Sequence, residues 1–271
     1  MLEIHLETVE KILVNFIRDA VYKNNFKNGI LGVSGGIDSA VVLALVQRAL
    51  GSDHTFAILM PYKLSSEASL ADGKLICQQL NVNYEIIEIS PSVDAYFDRF
   101  PAEDKMLIGN KCARERMSVL YDFSARKKAL VAGTSNKSEL LIGYSTLFGD
   151  SAAAFLPLGD LYKTQVFALA RHLGIPESIV TKPPSADLWK DQTDEGEIGI
   201  TYKQLDEILY QMVDLRMSDA EIEKAGYAKK DIEKIKRLMI QSQYKRTMPP
   251  IAKLHGRTIG LDFRYLRDWN K

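Results

Sequence analysis

Residues 34–39 read Ser34-Gly35-Gly36-Ile37-Asp38-Ser39, and their types suit the handling of phosphate. Two consecutive glycines let the backbone approach an anion closely. Ser34 and Ser39 add hydroxyl donors. Asp38 on its own would repel phosphate, so its chemical use is to hold Mg2+, which then bridges phosphate oxygens. An apolar run at 29–33 precedes the cluster, and a helical pattern at about 39–50 follows it. A helix N-terminus offers unpaired N–H groups and a favourable dipole to an anion. Open parallel sheets bind ligands beyond the carboxyl ends of their strands. The loop lacks the lysine of G-x-x-x-x-G-K-[ST] and the spacing of G-x-G-x-x-G, so neither of those phosphate motifs describes it. A plain tight turn of small residues is the competing reading.

The elements that must position this loop follow from periodicity. An amphipathic helix is expected over residues 1–20, with Leu6, Val9, Ile12, Leu13, Phe16 and Ile17 on one face. Strands are expected at 29–33, 54–60, 84–89 and 128–133, and helices at 39–50, 67–80 and 104–126. Short apolar strands alternating with helices imply an α/β fold, a parallel sheet flanked by helices on both faces. After about residue 149 the pattern becomes helical, at 163–173, 202–213, 219–225 and 229–243. Residues 182–199 are polar and rich in proline and glycine, and a loop of that length in a compact domain is usually functional or disordered. The expected organisation is one domain over 1–271. It has an N-terminal helix (1–28), a nucleotide-binding core (29–149) and a mostly helical portion (150–271) that carries the 182–199 segment as a lid.

Composition narrows the partners. The 271 residues hold 35 Lys plus Arg against 35 Asp plus Glu, a balance that argues against coating nucleic acid by bulk charge. No apolar stretch reaches the roughly 20 residues of a membrane span, and the first helix is not a signal peptide. Cys77 and Cys112 lack metal spacing and read as buried thiols of a reducing compartment, so the expected location is cytoplasmic. His5, His54, His172 and His255 are scattered and read as structural or solvent-facing.

The Ser34–Ser39 loop resembles the S-G-G-x-D-S loop of the ATP pyrophosphatases, which cleave ATP between the α- and β-phosphates. Within that superfamily the chain resembles the NAD synthetase family from about residue 29 to 245. Asn110-Lys111-Cys112-Ala113-Arg114-Glu115-Arg116-Met117 and Gly133-Thr134-Ser135-Asn136-Lys137-Ser138-Glu139 are similar to two of its motifs. Phe148-Gly149-Asp150, Leu161-Tyr162-Lys163-Thr164-Gln165-Val166, Lys182-Pro183-Pro184-Ser185-Ala186-Asp187-Leu188 and Gln192-Thr193-Asp194-Glu195 follow in the family's order. Each match is weak alone; their joint order and spacing is specific.

The resemblance implies an adenine nucleotide α-hydrolase-like, Rossmann-like sheet. It also implies amidation of deamido-NAD by ammonia with ATP as co-substrate and Mg2+ as cofactor, in a homodimer. No segment reads as a glutaminase domain, which makes ammonia the expected nitrogen source. ATP is expected on Gly32, Val33, Ser34, Gly35, Gly36, Ile37, Asp38, Ser39, Thr134, Lys163 and Ser185. Deamido-NAD is expected on Arg114, Asp150, Asp187 and Lys245, the metal on Asp38 and Glu139, and the catalytic roles on Asp38, Lys163 and Asp150. Each has an ordinary alternative. Glu139 suits a helix capping box, and Lys163 suits a solvated helix start. Arg114 and Arg116, two apart on a helix, point in different directions, so one faces the site while the other pairs elsewhere. Two departures stand out: Tyr244 precedes Lys245 where many relatives carry histidine, and Ala154 stands where many carry aspartate.

Overall fold

The computed structural model describes residues 2–185, 187, 189, 192–259 and 262–263. The chain runs α1 (Leu6–Tyr22), β1 (Asn28–Gly32), α2 (Ile37–Leu50), β2 (Thr55–Leu59), α3 (Glu67–Gln79), β3 (Asn83–Ile86), α4 (Ser90–Phe97), α5 (Lys105–Lys127) and β4 (Ala129–Val131). It continues through α6 (Lys137–Ile142), α7 (Lys163–Leu173), α8 (Glu177–Val180), α9 (Asp194–Ile198), α10 (Tyr202–Leu209), α11 (Asp219–Lys224) and α12 (Lys229–Gln241).

Among the described residues four parallel strands form one sheet in the order β3-β2-β1-β4. Side chains alternate across a strand, and here they alternate between two cores. Leu31, Ala57, Leu59 and Ala132 face the layer built on α1, α2 and α7. Ile30, Ile58, Ala129 and Val131 face the layer that includes Leu120 of α5. Helix α2 is apolar on every side, and Val41, Val42, Leu43, Ala44, Leu45 and Val46 are all fully buried between the sheet and the outer helices. Each large one contributes about 1.5–3 kcal/mol by leaving water. A further core, with Leu205, Ile208, Leu209, Ile222, Ile232 and Ile235, gathers the C-terminal helices.

The strand order sets the site. From β1 the chain steps outward through β2 to β3, then returns through α4 and α5 to place β4 on the other side of β1. Connections leaving β1 and β4 diverge there, opening a crevice beyond their carboxyl ends, where such sheets bind ligands. The Ser34–Ser39 loop leaves β1 and the Thr134–Glu139 segment leaves β4, so both arrive at that crevice.

Several boundaries differ from the sequence expectation. His54 belongs to a short 3-10 turn rather than to β2, and β3 ends at Ile86 rather than at 89. Helix α4 was not expected; its sequence signal is Pro91 in the first turn, where a missing N–H costs nothing. The helix expected over 202–213 is α-helical only to Leu209 and widens to a π turn over Tyr210–Asp214. The 182–199 segment is not all loop. Thr193 accepts the Gly196 N–H and starts α9, so acidic residues that read as loop in sequence form a capped first turn. Ala186, Leu188, Lys190 and Asp191 of that segment, and 264–271 at the other end, lie outside the described residues.

Gly35 fixes how the phosphate loop meets α3. Its φ is +78°, and a Cβ there would stand 2.0 Å from the Ser69 carbonyl oxygen. Left-handed backbone costs an ordinary residue about 1–2 kcal/mol before any clash. Gly35→Ala is expected to lower the melting temperature by several degrees, roughly 2–4 °C per kcal/mol lost, and to abolish ATP binding. Calorimetry of the variant with and without MgATP checks both; an unchanged melting temperature would contradict the packing described.

Candidate active site

The Ser34–Ser39 loop is held by its own hydroxyls. The Ser34 N–H donates to Ser39 Oγ (3.2 Å), Ser39 Oγ donates to the Gly36 carbonyl (2.9 Å), and the Gly36 N–H donates to Ser34 Oγ (3.2 Å). Gly36 is the N-cap of α2, so Ile37 and Asp38 occupy its first turn, where N–H groups lack intrahelical partners. Gly32 and Val33 serve the loop by extending the sheet: the Val33 N–H is spent on the Ile58 carbonyl (2.9 Å). Thr134 lies partly buried at the end of β4.

Asp38, Glu139 and Lys163 meet at the centre. Lys163 Nζ lies 2.5 Å from Asp38 Oδ2 and 3.1 Å from Glu139 Oε1. The lysine side chain is only 2% exposed, so the solvated helix start is ruled out. It opens α7, where the helix dipole disfavours a cation. Two carboxylates and the Tyr202 ring, 5.0 Å away, outweigh that. Burial alone would lower the Lys163 pKa, but Asp38 and Glu139 reverse the sign and hold it above the ordinary lysine value.

Asn136 completes the frame, a role that sequence reasoning did not assign. Fully buried, it donates from Nδ2 to Asp38 Oδ1 (2.9 Å) and accepts the Glu139 N–H on Oδ1 (3.1 Å). Glu139 does sit in a capping box, with Asn136 as the cap, and its other oxygen faces Lys163. The two readings of Glu139 are therefore compatible. Asp194 is a third carboxylate in the neighbourhood, 4% exposed and 3.1 Å from the hydroxyls of both Tyr144 and Tyr202. Burial raises its pKa against the pull of Lys163 and the two hydroxyls.

With all three carboxylates ionised, one ammonium leaves the centre negative. Hard oxygen donors from separate strand ends, with excess negative charge, suit a small divalent cation that keeps some waters. The donor set at Asp38 and Glu139 therefore fits Mg2+.

A second charged group lies along the cleft. Asp150 accepts the Thr146 N–H (2.7 Å). The protein around it raises its carboxyl, although that N–H, Lys245 and Arg116 all pull the other way. The two arginines part as their spacing required. Arg114 is exposed and directs Nε to the Leu147 carbonyl (3.4 Å). Arg116 reaches inward, with Nε 3.0 Å from the Met60 carbonyl, and feels both Asp187 and Asp150. Lys245 is committed to backbone, 2.8 and 2.6 Å from the Gly143 and Ser145 carbonyls. Tyr244 points to solvent.

The 182–199 segment is tied at both ends. Lys182 Nζ holds Ser69 and Asp72 of α3 at 3.0 and 3.1 Å. The Asp194 N–H closes onto the Pro184 carbonyl (3.0 Å). Between these ties Ser185 is exposed and accepts the Asp187 N–H on Oγ, while the Asp187 carboxylate caps the Ser66 N–H at 3.1 Å.

Burial pushes the Glu139 carboxyl from 4.5 up to about 7, against the pull of Lys163. Folded protein thus keeps a proton that the unfolded chain has released between those values. This group's share of stability is full below about 4.5 and is lost as pH rises through about 7. In metal-free buffer the melting temperature is expected to fall more steeply across that window in the wild type than in Glu139→Gln, whose amide does not titrate. Parallel slopes in a thermal-shift series would contradict the assignment.

With this geometry in place, the likeness to known proteins is informative. The family model described as NAD synthase matches residues 9–249. A protein of Chlorobium phaeobacteroides called NH(3)-dependent NAD(+) synthetase is 49% identical, over 100% of this chain and 98% of its own length. The solved NH3-dependent NAD synthetase of Campylobacter jejuni is 37% identical with a TM-score of 0.79, over 93% of this chain and all of that one. A solved NMN synthetase from Francisella tularensis is 32% identical with a TM-score of 0.82, over 92% of this chain and 99% of that one. Two carboxylates and a buried lysine gathered at the nucleotide-binding crevice, together with full-length similarity, identify the chain as a member of the NAD synthase family, a ligase of the NH3-dependent type.

Proposed function

We propose that the chain amidates deamido-NAD with ammonia, using ATP and Mg2+ and passing through an adenylated carboxylate. The observation that supports this most directly is Lys163 held between Asp38 and Glu139 at the N-terminus of α7, beside the glycine loop. ATP lies with its phosphates against the Ser34–Ser39 loop and Thr134. An oxygen of the nicotinate carboxylate attacks the α-phosphorus, the bond to the β-phosphate breaks, and pyrophosphate leaves. Ammonia then attacks the activated carboxyl carbon, the carbon–oxygen bond to AMP breaks, and the nitrogen gives up a proton. Asp38 and Glu139 would hold Mg2+, which would supply charge neutralisation for the departing pyrophosphate.

Each residue has a stated task. Lys163 faces the charge that develops on the leaving phosphates, and the loop N–H groups add fixed dipoles. Asn136 and Tyr202 orient the two carboxylates and the ammonium. Arg114, Asp150, Asp187 and Lys245 line the part of the cleft that takes the dinucleotide, with Arg116 deeper than Arg114. Ser185 lies on the segment that covers the phosphates, where excluding water protects an adenylate from hydrolysis. The proposed working form is a cytoplasmic homodimer, as the family resemblance implies. Among the described residues no helix is long and apolar enough to cross a membrane.

A second reading takes the mononucleotide acid instead. Two observations favour it: the likeness to an NMN synthetase and the neutral, exposed Ala154 beside the end of β4. Chromatographic assay of both acids with MgATP and ammonium separates them. The expected result is NAD and AMP in equal amounts from the dinucleotide, little product from the mononucleotide, and a loss on the order of 10²–10³-fold in kcat for Lys163→Met. Preference for the mononucleotide would sink the substrate assignment; a fully active Lys163→Met would sink the mechanism.

A further inference from the structure

Helix α7 is only partly capped by its own residues: Gln165 Oε1 accepts the Tyr162 N–H (2.9 Å). Tyr162 stands at its N-cap and sends its hydroxyl away to Asp214 (2.5 Å). The first N–H groups of α7 are satisfied from two other helices. The Lys163 N–H donates to Ser138 Oγ of α6 (2.9 Å), and the Thr164 N–H donates to Asp206 Oδ2 of α10 (2.8 Å). The Ser138 hydroxyl in turn donates to Asp206 Oδ1 (2.5 Å). Both Ser138 and Asp206 are fully buried.

We infer that Asp206, acting with Ser138, is a positioning residue that fixes the Lys163 ammonium between Asp38 and Glu139. Three connections support this. Ser138 is chain neighbour to Glu139, so one hydroxyl orients the backbone of a carboxylate and of the lysine that meets it. Asp206 lies four residues after Tyr202, on the same face of α10, and Tyr202 places its ring against Lys163 Nζ. A carboxylate at a helix N-terminus also offsets the dipole that opposes Lys163. The C-terminal helical core thereby holds the reacting centre through two side chains of α10, Tyr202 and Asp206. Asp206→Asn can keep its oxygen on the Thr164 N–H, but its NH2 then faces Ser138, whose hydroxyl must accept where it donated and loses the acceptor for its own proton.

The inference rests on Lys163 acting on the phosphates, and the experiment separates the two. Asp206→Asn, Ser138→Ala, Lys163→Met and Ile208→Ala are compared as purified enzymes, well below their melting temperatures. Ile208 is fully buried on the same helix and serves as the packing control. Expected are kcat losses on the order of 10²-fold for Asp206→Asn and about tenfold for Ser138→Ala, with the KM for deamido-NAD within about twofold of wild type. Ile208→Ala is expected to melt lower and keep its kcat. Unchanged kcat in both cap variants, or an equal kcat loss in Ile208→Ala, overturns the positioning role. Should Asp206→Asn fail to fold, Ser138→Ala decides. Full activity in Lys163→Met would fault the reading of the lysine; a dead Lys163→Met beside fully active cap variants faults the positioning alone.

Discussion

One buried ammonium organises this molecule. Lys163 has lost nearly all contact with water, and an unpaired charge at that depth would cost several kcal/mol. It is tolerated because Asp38 and Glu139 stand at hydrogen-bonding distance and Asp194 lies nearby. The compensation is mutual, since three crowded carboxylates without a cation would repel one another. Such an arrangement specifies geometry more than it stabilises: its members must be brought from distant parts of the chain to one point. Ionised together, the carboxylates carry more charge than Lys163 neutralises, which is the physical basis of the proposed Mg2+ site.

The topology supplies that point. Reversal of the strand order between β1 and β4 opens the crevice, β1 delivers the glycine loop with Asp38, and β4 delivers Asn136 and Glu139. The loop is narrow because Gly35 lies against the Ser69 backbone. Helix α7 then packs on α2 and brings Lys163 to Asp38 and Glu139. The C-terminal helices are more than an appendage, because α10 sends Tyr202 and Asp206 to the same helix start.

What could be read in the sequence follows from what is local. The Ser34–Ser39 loop announces itself by glycines and small hydroxyls between a strand and a helix, and four strands with their intervening helices follow from periodicity. Lys163 was reached only through family resemblance, since its partner Asp38 is 125 residues away and nothing near it signals burial. Asn136 was legible as a motif letter but not as the bridge to Asp38, 98 residues distant. Spacing showed that Arg114 and Arg116 diverge but could not show which turns inward. Lys245 is expected on the dinucleotide, and no local signal shows that its ammonium also meets two carbonyls at the end of α6. Helix α9 was hidden because Thr-Asp-Glu-Gly is loop-like in composition and helical only once Thr193 caps it.

The central claim is that Asp38, Glu139 and Lys163 form one charge centre that receives a divalent cation and the ATP phosphates together. Anomalous diffraction from crystals grown with Mn2+ and a non-hydrolysable ATP analogue tests it most directly. The expected result is a manganese peak about 2.1 Å from a carboxylate oxygen of Asp38 and of Glu139, with Lys163 Nζ in hydrogen-bond reach of a phosphate oxygen. Manganese bound away from both carboxylates, with Lys163 turned from the nucleotide, would contradict it.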